Sequence, residues 1–230
     1  MKRFWQHAAV APAEGGYVVR LDARTVRTPR RHELRLPTRG LAQLVAAEWE
    51  AQAETVEPDT MPVNRIATSV VDLMPERRTG AIDQLGDYAR TDLLCYRAGG
   101  PAELVGAYAR HWDPALAWLE RAHGARLRVV EGLMPADQPP AAVATLTGLI
   151  DAFDDWRLVG LHAAATTSGS LVLGLMVAAG ALSGEAAADA ALVDERFERA
   201  RWGEEVEALR RERRLIRDLV AADRYLRALG

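Results

Sequence analysis

A change of hydrophobic period near Pro37 constrains this chain more than any other feature of its sequence. Before it, apolar residues alternate with polar ones or run in short blocks; after it, they recur at three- and four-residue steps. A period of two lines one face of a strand, and a period near 3.6 lines one face of a helix. The expected fold class is therefore α+β. A small β-rich N-terminal domain with one helix spans residues 1–60, and a larger, mainly helical C-terminal domain spans 61–230.

In the first part, Tyr17–Leu21 and Val26–Thr28 flank Asp22-Ala23-Arg24, a short polar hairpin connection. Pro29 ends the second run, since proline cannot donate to a sheet ladder. Glu33-Leu34-Arg35-Leu36 alternates as a third, half-buried strand should. Thr38 is placed to cap a helix that runs to Gln52 with Leu41, Leu44, Val45 and Trp49 on one face. Pro62 opens the next helix, carrying Val63, Ile66, Ala67, Val70, Val71 and Met74. A further helix is expected from Thr79 to Arg97, with Leu85, Ala89, Leu93 and Tyr96 inward, ended by Gly99-Gly100. Asp113-Pro114 reads as a capping acid and a proline at the first helical position. Leu127, Val129 and Val130 suggest one more short strand. Helices resume near Ala141, over 166–182, over 183–201 and from Glu204 to the end.

Composition removes several function classes. With 29 basic and 32 acidic residues, the net charge of −3 argues against a general nucleic-acid binder. One cysteine, Cys95, cannot form an internal disulfide and fits a reducing compartment. The longest apolar stretch, Leu171–Leu182, falls short of the roughly 20 residues of a membrane span and reads as a buried helix. Neither a secretory signal nor an arginine-rich transit segment opens the chain. A cytoplasmic protein without membrane attachment is the expectation. His7, His32, His111, His123 and His162 show no metal-ligand spacing, and Ser168-Gly169-Ser170 lacks the frame of a nucleophile elbow. No glycine-rich phosphate loop exists, and Lys2 is the only lysine. No metal, cofactor or nucleotide chemistry is expected.

Three features remain as candidates. Trp202-Gly203-Glu204-Glu205-Val206-Glu207 sets a glycine and three acids between helical stretches. These acids can be favourable charge at a helix start, worth roughly 0.3–1 kcal/mol each, paired carboxylates for acid–base work, or a recognition patch beside an exposed tryptophan. Asp92 falls on the inward stripe of its expected helix, where a carboxylate is costly unless bonded. An anchor to an arginine, a tryptophan N–H or a helix N-terminus suits it better than catalysis. Arg210, Arg211, Arg213, Arg214 and Arg217 decorate the last helix; a solvated face is the ordinary meaning and a docking face the sharper one.

Read together, several of these segments resemble one known family. They are Phe4-Trp5, Leu21-Asp22-x-Arg24 with Arg27-Thr28-Pro29, Leu36-Pro37-Thr38, Glu48-Trp49-x-x-Gln52, Pro58-x-x-Met61-Pro62, Asp92 to Arg97, Trp112-Asp113-Pro114, and Asp194-Glu195 with Trp202-Gly203-Glu204. The chain is similar to the assembly chaperones for the alpha subunit of the F1 sector of ATP synthase, found in mitochondria and alphaproteobacteria. The resemblance implies no enzyme and no cofactor. It implies a protein that binds the free alpha subunit and prevents its aggregation until the beta subunit takes over. It also implies a β-rich domain joined to a helical one, and, with no transit segment, a bacterial member. Trp202, Gly203, Glu204, Glu205 and Glu207 are the implied partner-binding residues. Trp49, Asp92, Arg97 and Asp113 are assigned to structure. Where the family tends to have an amide and an aspartate, this chain has Glu198 and Glu205. A monomer is expected, with no nucleic acid, membrane or small-molecule substrate as partner. The alternatives are a small hydrolase or isomerase using Asp92 with Glu204 and Glu205, and a permanent structural subunit.

Overall fold

The computed structural model describes residues 1–132, 134, 136–203 and 205–230. It is α+β, with a small sheet at the N-terminus and helices through the remainder. The sheet is an antiparallel meander of β1 (Ala8–Ala13), β2 (Gly16–Leu21) and β3 (Arg24–Thr25). Its main hairpin is β1–β2, with Val10 opposite Val19. The sequence pattern did not announce β1, because its alanines and Pro12 give no alternation. Asp22 turns the chain from β2 to β3 with φ of 51°, a conformation that aspartate tolerates, and its carboxylate accepts N–H bonds from Gln6 and His7 at 3.0 Å. Those backbone bonds hold this acid below the usual carboxylate range.

The expected strands at 26–28 and 33–36 are only bridges, Arg27 to Glu33 and Tyr17 to Leu36. Pro29 and Pro37 leave no room for a longer ladder. The alternation is nonetheless obeyed, since Leu34 and Leu36 are buried while Glu33 and Arg35 face water. α1 (Arg39–Glu50) starts where expected, with the Thr38 hydroxyl accepting from the Leu41 N–H at 3.1 Å.

α2 (Pro62–Arg90) corrects the sequence reading most clearly. The two helices expected over 62–74 and 79–97 are one helix of 29 residues. Pro75 removes one hydrogen bond, but it does not interrupt the apolar face, which runs through Val63, Ile66, Val70, Met74, Ala81, Leu85 and Ala89. The helix also stops earlier than expected. Residues Leu93–Cys95 form a single tight turn, and Tyr96 lies in a strand rather than on a helix. That strand, β4 (Tyr96–Arg97), pairs in parallel with β5 (Val130–Glu131).

α3 (Ala102–His111) and α4 (Asp113–His123) follow. Asp113 is not the cap of α4 but its first residue, and its carboxylate binds Arg97 at 2.6 Å instead. Then come α5 (Pro140–Asp151), α6 (Asp155–Ser168) and α7 (Leu171–Ala178). The stretch expected as one helix over 183–201 is α8 (Gly184–Ala191) and α9 (Val193–Trp202). α10 (Val206–Leu229) closes the chain.

Packing centres on α2, α6, α7 and α10. Every residue from Leu171 to Val177 on α7 is buried, which is the expected fate of the longest apolar stretch. α10 lays Leu219, Ala222, Tyr225 and Leu226 against α6 and its neighbours, and the Tyr225 hydroxyl donates to the Trp156 carbonyl at 3.1 Å. At its far end α10 returns to the N-terminal unit, where the Thr38 hydroxyl donates to the Ala228 carbonyl. One buried apolar cluster runs from Trp5 to Leu226.

A close helix approach is at Gly184, whose backbone lies against α10. An added Cβ would sit 2.6 Å from both the Leu219 carbonyl oxygen and Val220 Cα, and backbone cannot swing aside as a side chain can. Overpacking of this kind typically costs about 1–3 kcal/mol. Gly184→Ala is therefore expected to lower the unfolding free energy read from a urea melt by that amount. A melt identical to wild type would mean that α8 slides freely on α10.

Candidate partner-binding site

α9 meets α10 at a sharp corner. Trp202 is the last residue of α9, and Gly203 follows with φ of 97° and ψ of 173°, a conformation that a side chain would strain. The Gly203 N–H closes α9 on the Arg199 carbonyl at 3.0 Å. Beneath the corner the helices are clamped by ion pairs. Arg196 donates to Glu212 at 2.9 Å and to Asp189 at 2.6 Å, and Arg199 donates to the same Glu212. The bond from Arg199, followed by that from Arg196, holds the Glu212 carboxyl low despite some burial.

Above the clamp, Trp202 is 86 % exposed and Val206 67 % exposed. Glu205 flanks the start of α10 in an extended conformation, but its side chain makes no capping bond. Glu207 forms a surface pair with Arg210 at 3.7 Å, an arrangement worth about 0–1 kcal/mol. Glu204 lies outside the described residues. The structure thus brings Trp202, Gly203, Glu205 and Glu207 to one exposed corner.

The four residues assigned to structure lie elsewhere. Asp92 is fully buried, though not through a helical stripe, because α2 has ended two residues earlier. It opens the Leu93–Cys95 turn and also receives the start of α7. Its carboxylate accepts from the Leu94 N–H at 3.1 Å, the Ser170 hydroxyl at 2.8 Å and the Val172 N–H at 3.0 Å. Ser170 in turn caps α7 through the Leu173 N–H at 3.1 Å. Burial pushes the Asp92 carboxyl up to about 6, against the lowering effect of these bonds. The neighbouring Cys95 thiol is buried and pushed up to about 12, so it stays protonated.

Arg97 donates to the Leu94 carbonyl at 3.2 Å and to Asp113 at 2.6 Å, and it lies over the Tyr108 and Trp112 rings at 6.0 and 5.7 Å. Those two rings stack at 4.2 Å. Tyr108 donates to Asp194 on α9, and the Trp112 indole donates to the Ala190 carbonyl at 2.8 Å. Residues quoted from three separate motifs, together with Tyr108, therefore form one joint that sets α9 in place. Trp49 is half-buried, edge-on to Trp5 at 5.3 Å, with its indole N–H on Asn64 at 3.1 Å.

Sequence reasoning missed three further acids. Glu48 on α1 caps α2, accepting from the Val63 and Asn64 N–H groups at 2.8 and 2.7 Å; burial pushes its carboxyl up to about 6. Asp72 on α2 accepts from the Thr28 hydroxyl at 2.6 Å and the Arg30 N–H at 3.0 Å, and pairs with His32 at 2.9 Å. Asp223 on α10 accepts from the Gly184 N–H at 3.0 Å, at the start of α8. The signal for Asp72 and Asp223 was available, since each is an acid on the inward face of its helix. The partner of Glu48 lies beyond a loop that no local pattern spans.

With this geometry in view, the likeness to known proteins is specific. The family described as ATP12 chaperone protein matches residues 2–120. "Protein atp12, mitochondrial" of Schizosaccharomyces pombe is 22% identical over 214 residues, covering 88% of this chain and 74% of its own. The crystal structure of Atp12 from Paracoccus denitrificans superposes with a TM-score of 0.91 and 36% identity, covering 100% of this chain and 98% of that one. A mutant of the same P. denitrificans protein, with lysine in place of an aspartate, gives a TM-score of 0.90 and 35% identity over 100% of this chain and 98% of that one. A β-rich unit leading into clamped helices is thus the architecture of an assembly chaperone. The chain belongs to the ATP12 chaperone family, which serves ATP synthase assembly. Among the described residues, no helix is long and apolar enough to cross a membrane.

The Asp92 anchor carries a pH signature. Its folded carboxyl holds a proton to about pH 6, whereas the unfolded one releases it near 3.8. Between those values the folded state binds more protons, so this contribution to stability is full below the unfolded value and fades as pH rises toward 6. In Asp92→Asn, one acceptor becomes an NH2 group facing an N–H donor, which should cost about 1–3 kcal/mol. The cost should be larger at pH 4.5 than at pH 7, as read by urea melts of both proteins. A pH-independent difference would contradict this account.

Proposed function

We propose that the chain holds the unassembled alpha subunit of F1 ATP synthase, keeping it soluble until the beta subunit displaces it. An unassembled subunit of an obligate complex exposes a large apolar interface and aggregates. A holding protein needs apolar contact, polar groups that set register, and a way to release. The observation that carries the reading is the solvent-facing pair Trp202 and Val206, 86 % and 67 % exposed, at a corner bordered by Glu205 and Glu207. Folding gains little from either apolar side chain there. Tryptophan is the residue type most often found at the energetic centre of protein interfaces. Glu204 belongs to the same proposed contact on sequence grounds.

On this reading the protein acts as a monomer in the cytoplasm, without cofactor, nucleotide, nucleic acid, membrane or small-molecule substrate, and it catalyses no reaction. The hydrolase or isomerase alternative is disfavoured by the surroundings of Asp92. Its oxygens are engaged by Ser170, Leu94 and Val172 in a fully buried site, while Glu205 is exposed at the corner.

The test is a pull-down with separately expressed alpha and beta subunits. Wild type is expected to retain alpha and not beta. Trp202→Ala combined with Glu205→Lys should lose alpha and its protection from aggregation, with a melting curve within about 0.5 kcal/mol of wild type. Full protection by the folded variant would remove the corner from the contact surface. Retention of beta instead of alpha would overturn the choice of client.

A further inference from the structure

The N-terminal half of α10 carries an arrangement that folding does not explain. Arg210, Arg211, Arg213, Arg214 and Arg217, with Glu207, line a surface concavity of about 500 Å³. The first four arginines are exposed. Within α10 they recur at three- and four-residue spacings, where like charges oppose helix formation. Compensation is sparse: Arg210 meets Glu207 at 3.7 Å, Arg214 meets Asp59 at 3.4 Å, and Arg217 meets Asp218 at 3.0 Å. Arg211 and Arg213 make no ion pair among the described residues. The acid in their midst, Glu212, is turned inward to Arg196 and Arg199.

We propose that this concavity docks an acidic segment of the client polypeptide. The guanidinium forks match carboxylates in paired geometry. Val206 precedes Arg210, Arg213 and Arg217 at four, seven and eleven residues, so it leads the same stripe of the helix, with Trp202 at the corner before it. The fitting segment therefore carries carboxylates beside an apolar side chain. A long polyanion fits less well, because the basic surface is one short stretch bordered by Glu205 and Glu207 on a chain of net charge −3. This inference rests on the client reading above, in that the acidic segment is assigned to the held subunit.

The direct test titrates the full-length protein into a short labelled peptide of glutamate and leucine, followed by fluorescence anisotropy. Wild type should bind, more weakly as salt is raised. A variant with Arg210, Arg211, Arg213 and Arg214 all changed to Gln should bind at least about tenfold more weakly. Changing the same four to Lys should recover part of the loss, because charge is kept and the fork is not. Arg211→Gln with Arg213→Gln serves if the fourfold variant fails to fold, since these two side chains have no ion pair to lose among the described residues. No peptide binding by wild type, or undiminished binding by the glutamine variants, would overturn the proposal. So would tighter arginine-dependent retention of a single-stranded oligonucleotide or of phosphatidylserine vesicles, which would reassign the surface. A parallel pull-down of the alpha subunit separates the two readings. Peptide binding without alpha binding would sink the client and keep the acidic-segment site. Alpha binding untouched by the arginine changes would sink the site and keep the client.

Discussion

A carboxylate with no access to water, Asp92, fixes the centre of this protein. An unpaired acid there would be intolerable, so its two oxygens dictate where three other groups must be. They take the N–H of its own turn, the Ser170 hydroxyl and the Val172 N–H, which locks the end of α2 to the beginning of α7. α7 is buried from Leu171 to Val177, and α2, α4, α6, α8 and α10 all pack against it. The direction of α7 is thus set by one side chain eighty residues upstream of Val172, and the helices around it inherit that direction.

The same device recurs at the other joints. A carboxylate on one element accepts backbone N–H groups that a neighbouring element leaves unpaired. Glu48 does so for α2, Asp72 for the turn at Thr28–His32, and Asp223 for α8. Helix starts carry unsatisfied donors and partial positive charge, so an acid from elsewhere both satisfies and orients them. Apolar packing alone allows helices to slide and rotate; these bonds fix the register. The clamp of Arg196 and Arg199 on Glu212 extends the logic to α9 and α10, close in sequence to the exposed Trp202.

Much of this was legible in the sequence, and the exceptions have physical causes. Thr38 as a cap, the buried stretch from Leu171 and the division into a β-rich start and a helical remainder all follow from local rules. The unity of α2 did not follow, because a proline inside a helix is outweighed by a continuous buried face only when the neighbours that bury it are known. Asp92 was recognised as an inward acid for the wrong reason, since it sits in a turn and not on a helix. The joint of Arg97, Tyr108, Trp112, Asp113 and Asp194 was visible only as scattered motifs, because nothing local says that they converge. The exposed corner was readable in outline: a glycine with positive φ explains why Trp202-Gly203 interrupts two helices. That Glu205 leaves α10 uncapped required the coordinates.

The placement of α10 has a consequence for how the protein comes into being. Its buried residues Leu219, Ala222, Tyr225 and Leu226 cover α6, α8 and α2, and its tail reaches back to Thr38 beside α1. During synthesis the chain emerges from its N-terminus, and units fold as they become complete. The sheet and α1 can gather early. The helical array cannot close until α10 has left the ribosome, because the element that seals it is made after every helix it covers. Until then the apolar faces of α6 and α7 are open to water. A nascent chain of this protein therefore passes through a state in which it is itself a sticky, unfinished surface, and its final helix is the first partner it must find.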